Sequence, residues 1–113
     1  MKNTIDMRPS DLTLTRQILS KHLPSNATVW VFGSRAKGGA RIFSDLDLMI
    51  DNNHQPLPLA ILTQLLDEFE ESDLPYKVDV LDWNGIGDDF RTMVYHERIP
   101  LSLLPNAKQL SDD

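Results

Sequence analysis

A chain of 113 residues, 41% of them hydrophobic, has the size of one domain and enough apolar content for a core. It has no cysteine, which excludes disulfides and thiolate metal sites, and no apolar run near the ~20 residues that a membrane span needs. A net charge of −6 argues against a face that binds nucleic acid through clustered cations; with no apolar stretch in Met1–Arg8 to act as a signal, a cytoplasmic protein with residues 1–113 as a single domain is expected.

In chain order, Ser10 or Asp11 can cap a helix running to about His22, with Leu12, Ile18, Leu19 and Leu23 as an imperfect apolar stripe. Pro24-Ser25-Asn26 ends it. Thr28-Val29-Trp30-Val31-Phe32 is β-branched and aromatic and reads as a buried strand. Gly33 breaks that strand, and Ser34 to Lys37 opens a short helix stopped by Gly38-Gly39. Asp45 to Ile50 reads as a second strand, with Leu46, Leu48 and Ile50 on one face and Asp45, Asp47 and Met49 on the other.

Residues 52–56 read as a loop. A long helix follows from about Leu59 to Glu71, with Leu62, Leu65, Leu66 and Phe69 at helical spacing. Tyr76 to Asp82 is a third strand. Asp88 caps a last helix through about His96, carrying Phe90, Met93 and Val94, and Ile99, Leu101 and Leu103 alternate as a short edge strand. The resulting order, α-β-α-β-α-β-α with a terminal strand, packs helices on a small sheet and points to the α/β class. It leaves open which strand pairs are parallel.

Chemistry concentrates in two places. Gly33 lets the backbone turn sharply and approach a ligand, and the amides that follow, with the Ser34 hydroxyl, can hold phosphate oxygens. Arg35 and Lys37 either neutralise triphosphate charge or are surface cations beside a turn. Asp45 and Asp47 project together, about 7 Å apart along the strand. Alone, an Asp-x-Asp is more often a solvent-facing strand. At ~4 Å, though, two carboxylates repel by about 4 kcal/mol in a surface-like dielectric, and a cation relieves that. Mg²⁺ takes carboxylate, phosphate and water oxygens. Asp79, within the apolar Val78-Asp79-Val80-Leu81, is costly there unless paired or metal-bound. On a neighbouring strand it adds a third oxygen ligand to a two-metal site, or a general base for an acceptor hydroxyl. The pattern describes a site for a nucleoside triphosphate and Mg²⁺.

Other features read more plainly. Asp82 is a turn or cap residue, and Trp30 belongs to the core. Trp83 lines the site mouth or packs. The acidic run from Asp67 to Asp73 is a solvated helix end or a docking surface for a basic partner. His22, His54 and His96 have no ligand spacing for zinc.

The segment Gly33-Ser34-x-x-x-Gly38, five further residues, then Ser44-Asp45-x-Asp47-Leu48 resembles the signature of the DNA polymerase β-like nucleotidyltransferase superfamily. The small size resembles its minimal branch, the MntA-like antitoxins. The resemblance implies an α/β (α+β) palm-like fold, a small mixed sheet flanked by helices. It implies two Mg²⁺ ions held by Asp45, Asp47 and Asp79, and a triphosphate held at Gly33 and Ser34. It implies transfer of a nucleoside monophosphate, AMP from ATP, to a hydroxyl. Members of that branch are commonly paired with a small helical HEPN-domain toxin and in some cases adenylylate a tyrosine on it, so such a partner and a homo- or hetero-oligomer are expected, with neither nucleic acid nor membrane as partner. The apolar edge of Ile99, Leu101 and Leu103 is a candidate partner surface. Two departures stand out: no second domain supplies an acceptor site, and Gly39 loosens the loop after the turn.

Three functions follow: a transferase that modifies and neutralises its partner, a non-catalytic nucleotide-binding antitoxin that acts by occlusion, and a small-molecule nucleotidyltransferase. Three clustered acids favour an enzyme over a pure binder.

Overall fold

The computed structural model describes residues 4–103. Helix α1, Pro9–His22, begins earlier than the polar residues suggest, because Pro9 with its fixed φ occupies the first helical position. Asp11 therefore sits in the first turn rather than at the cap. It is buried, 3.1 Å from Arg8, and accepts from the Tyr76 hydroxyl at 3.2 Å.

Strand β1 spans Thr28–Phe32 and helix α2 spans Ser34–Lys37. Strand β2 spans Leu46–Asp51, so Asp45 stands one residue ahead of it. Helix α3, Leu59–Glu71, is followed by strand β3, Val78–Asp82, a 3-10 turn at Trp83–Gly85, helix α4, Asp88–Glu97, and strand β4, Ile99–Pro100. Gly87, not Asp88, caps α4. The four strands form one mixed sheet in the order β3-β2-β1-β4. β1 runs antiparallel to both β2 and β4, and β2 runs parallel to β3. This is the small mixed sheet flanked by helices that the resemblance implied.

Alternation along the strands builds two cores. Leu46, Leu48, Ile50, Val29, Val31, Val78 and Val80 face α1 and α3, where they meet Ile18, Leu19, Leu65 and Phe69. On α3, Leu66 is exposed and Ile61 packs in its place, because the helix turns that side inward. The opposite sheet face carries a smaller cluster of Phe32, Met49 and Val94, with Trp30, Leu81, Trp83 and Phe90 against it. Met49 is thus core, not a polar-side position, whereas Met93 is exposed. Trp83 packs on Trp30 with ring centroids 5.3 Å apart. Arg98 stacks over Trp30 and Tyr95, 4.2 Å from each ring centroid, and closes the end of α4.

Ile99 and Leu101 are buried at the sheet edge, with the Leu101 amide donating to the Val29 carbonyl. That edge is packing, not an open partner surface. Most of the acidic run on α3 faces solvent; Glu68 turns to α1 and meets His22 at 2.6 Å. Among the described residues no helix is long and apolar enough to cross a membrane.

Leu48 is fully buried at the centre of the larger core. Leu48→Ala should lower unfolding free energy by about 2–5 kcal/mol, measured by urea denaturation.

Candidate active site

Asp47 and Asp79 lie on the sheet face that carries the smaller cluster. Asp47 on β2 lies directly opposite Asp79 on β3 in parallel register, so their side chains share a face. Asp45 precedes them, exposed, at the mouth of β2. Asp79 is also 3.4 Å from the Lys77 ammonium. Burial pushes the Asp47 carboxyl up to about 6, with the carboxylates of Asp79, Asp45 and Glu97 adding to it. Among the described residues no three acidic or imidazole side chains converge closely enough to hold a metal by themselves.

The turn from β1 reaches Asp47. Phe32 pairs with Asp47 in the β1–β2 register, so the next residue, Gly33, lies over the Asp47 side chain. Gly33 has φ of +76°, and a Cβ there would overlap the Asp47 carboxylate. Both facts require glycine. The Gly33 carbonyl accepts from the Ala36 and Lys37 amides, which starts α2. Ser34 stands beside it, half-buried, and no hydrogen bond is made by its hydroxyl among the described residues.

The two cations of α2 take different places. Lys37 is exposed and 3.8 Å from Glu97. Arg35 is not a surface cation facing phosphate: it is only 5% exposed. Its Nε and Nη2 donate to the Ser44 carbonyl at 3.1 and 2.9 Å, Nη1 to the Asp6 carbonyl at 2.8 Å, and Nη2 to the Arg41 and Ile42 carbonyls at 3.2 and 3.3 Å. The guanidinium stacks 3.9 Å over the Tyr76 ring. That phenol is pushed up to about 12 by its burial, with the Asp11 charge beside it adding to the shift. Five donors in a rigid plane explain the choice of arginine, since the clamp holds several carbonyls at once. The loop to Asp45 is thereby tied down, with the Arg41 amide donating to Ser44 Oγ at 2.8 Å.

Sequence reasoning passed over Glu97. Its Oε2 accepts from the Gly33 amide at 3.1 Å and its side chain is 13% exposed. No local signal marks it, because the contact joins residues 64 apart. Asp82 is the cap it was expected to be, accepting from the Asn84 and Leu57 amides.

Comparison with known proteins identifies the family and the fold. The family model described as polymerase beta, nucleotidyltransferase, matches residues 14–102. A Haemophilus influenzae protein named "Probable protein adenylyltransferase MntA" is 42% identical over 90 residues, covering 80% of this chain and 77% of that one. A structure described as "Structure of putative minimal nucleotidyltransferase" superposes with a TM-score of 0.63 at 30% identity, covering 81% of this chain and 90% of that one. A toxin–antitoxin structure with AMP-PNP superposes at 0.68 with 17% identity, covering 91% and 80%. A structure of a tri-AMPylated Shewanella oneidensis HEPN toxin with its MNT antitoxin superposes at 0.60 with 17% identity, covering 89% and 76%.

The raised Asp47 carboxyl gives a signed expectation. Above about pH 6 the folded state carries a charge that it disfavours relative to the unfolded chain. Stability is therefore lost as pH rises from the ordinary value of 3.8 through about 6. In buffer with chelator, Asp47→Asn should melt higher than wild type at pH 7, and the gain should vanish near pH 4. A scan of melting temperature against pH checks this.

Proposed function

The chain belongs to the polymerase beta nucleotidyltransferase family, and from that premise we propose that it transfers AMP from ATP to a tyrosine hydroxyl of a small helical HEPN-type partner and so neutralises it. The observation that carries this is the pairing of Asp47 with Asp79 beneath the Gly33 turn, with Asp45 beside them. Supporting it, the Haemophilus relative bears the name of a protein adenylyltransferase. The solved toxin–antitoxin structures include one with AMP-PNP and one with an AMPylated HEPN toxin.

Asp45 and Asp47 are the carboxylates that would hold Mg²⁺, with Asp79 completing a second position. The fit rests on the crowding at Asp47, where burial and three neighbouring carboxylates disfavour its charge and a cation would restore it. The donors are all oxygen and few in number, the usual way Mg²⁺ is held together with phosphates and water. Bound there, Mg²⁺ would offset the charge of the triphosphate and of the departing pyrophosphate. Ser34 donates to a phosphate oxygen, and Lys37 adds a mobile positive charge. Asp79 takes the proton of the acceptor hydroxyl, whose oxygen forms a bond to the α-phosphorus as the bond to the bridging oxygen breaks and pyrophosphate leaves.

A protein acceptor is favoured over a small molecule by the loop ahead of Asp45. Ile42 and Phe43 are 74% and 68% exposed, side by side, on backbone that Arg35 clamps. Two large apolar side chains held out to solvent beside a polar site suit a protein surface.

With partner, ATP and Mg²⁺, intact-mass spectrometry should show AMP added by the wild type and none by Asp45→Asn, Asp47→Asn or Asp79→Asn, each still folded by circular dichroism. Full neutralisation of the partner by Asp79→Asn at equal dose would replace catalysis with occlusion. Mg²⁺–ATP at a hundredfold excess over Kd should stabilise the wild type by about 2.7 kcal/mol. Ser34→Ala should reduce this stabilisation at the same ATP concentration. Replacing Ile42 and Phe43 together by Ser should slow partner modification while leaving the ATP-induced shift in melting temperature intact.

A further inference from the structure

We propose that Glu97 is a positioning residue of the transfer site: its carboxylate grips the Gly33 amide from behind and fixes the turn against which Asp47 rests. The inference builds on the reading of Gly33, Ser34 and the three acids as the site of nucleotidyl transfer.

The geometry is specific. Glu97 is the last residue of α4, and both of its recorded partners belong to the turn and its short helix: the Gly33 amide at 3.1 Å and the Lys37 ammonium at 3.8 Å. The segment that carries it is anchored on both sides. Val94, one turn earlier, is fully buried, and Arg98, the next residue, is stacked between Trp30 and Tyr95. A rigid support on one side and a glycine on the other make this contact a fixed strut.

The Glu97 carboxylate places a charge near Asp47. It is mostly withdrawn from water and adds to the repulsion around Asp47. A neutral side chain of similar length would fill the space without that repulsion. What the oxygen does supply is an acceptor for an amide next to which no side chain of its own can stand. With the Gly33 amide committed to Glu97, phosphate contacts in this turn fall to Ser34 and not to the Gly33 N–H.

The expected effects divide by what each substitution removes. Glu97→Ala removes the acceptor and frees the turn; kcat for AMP transfer should fall about 10–100-fold, the usual loss when a supporting shell is removed. Glu97→Gln keeps a carbonyl that can accept from Gly33 and deletes a negative charge beside the triphosphate. It should recover most of the lost kcat and show a lower KM for ATP than wild type.

A readout independent of activity is the Gly33 amide in a ¹⁵N–¹H spectrum of the full, metal-free chain. Its resonance should move upfield and its hydrogen exchange should quicken in Glu97→Ala, and both should stay near wild type in Glu97→Gln. An unmoved Gly33 resonance in Glu97→Ala, or Glu97→Gln as slow as Glu97→Ala, would overturn the proposal. If Glu97→Ala does not fold, loss of Gly33 protection in Glu97→Gln would overturn it and retention would support it. A wild type that transfers AMP to no partner would sink the proposed reaction instead, while the amide measurement would still decide whether Glu97 holds the turn.

Discussion

A positive φ at Gly33, with the glycine Cα laid against the Asp47 carboxylate, is the constraint from which the site follows. The antiparallel register of β1 and β2 puts the end of one strand over the start of the other. Where Phe32 meets Asp47, the chain has to leave the sheet at once without covering the acid. Only a residue lacking Cβ can do so. The turn then starts α2 directly, since its carbonyl accepts from the Ala36 and Lys37 amides. The Gly33 backbone and the Asp47 carboxylate therefore meet where β1, β2 and the one-turn helix α2 join.

The acids sit where the fold can tolerate them. Alternate residues of β2 do opposite work: Leu46, Leu48 and Ile50 are fully buried under α1 and α3, while Asp47 faces the other way. The larger core supplies the stability, and the sheet's second face is apolar only as far as Phe32, Met49 and Val94 reach. On the same face, burial and the carboxylates of Asp79, Asp45 and Glu97 disfavour the charge of Asp47. Local destabilisation at a functional site, set off by packing elsewhere, is the common arrangement.

Much of this was legible in the sequence where the signal is local. The β-branched run from Thr28 to Phe32, the glycine after it, and the apolar spacing of Leu65 and Phe69 each depend on near neighbours. The partnership of Asp79 with Asp47 is not local: it was conditional on β3 lying beside β2, and the parallel pairing of those strands supplies that condition. What escaped depends on distant contacts. Arg35 reads as a phosphate-facing or surface cation because nothing nearby reveals four carbonyls and a Tyr76 ring closing around it. Glu97 reads as an ordinary helix-end acid, since its partner lies 64 residues away. Ile99 and Leu101 alternate like an open edge, yet pairing with β1 buries them.

Arg35 also links recognition to chemistry. Its guanidinium holds the carbonyls of Arg41, Ile42 and Ser44, the residues that lead straight into Asp45. The same clamp therefore sets the entrance to the acid pair and the direction in which Ile42 and Phe43 project. A loop fixed this way loses little conformational entropy when a surface docks on it, so binding is not weakened by the cost of ordering it. A buried cation with five donors is a demanding way to hold a loop, and it suits the approach to Asp45 and Asp47, where the proposed transfer would need close alignment.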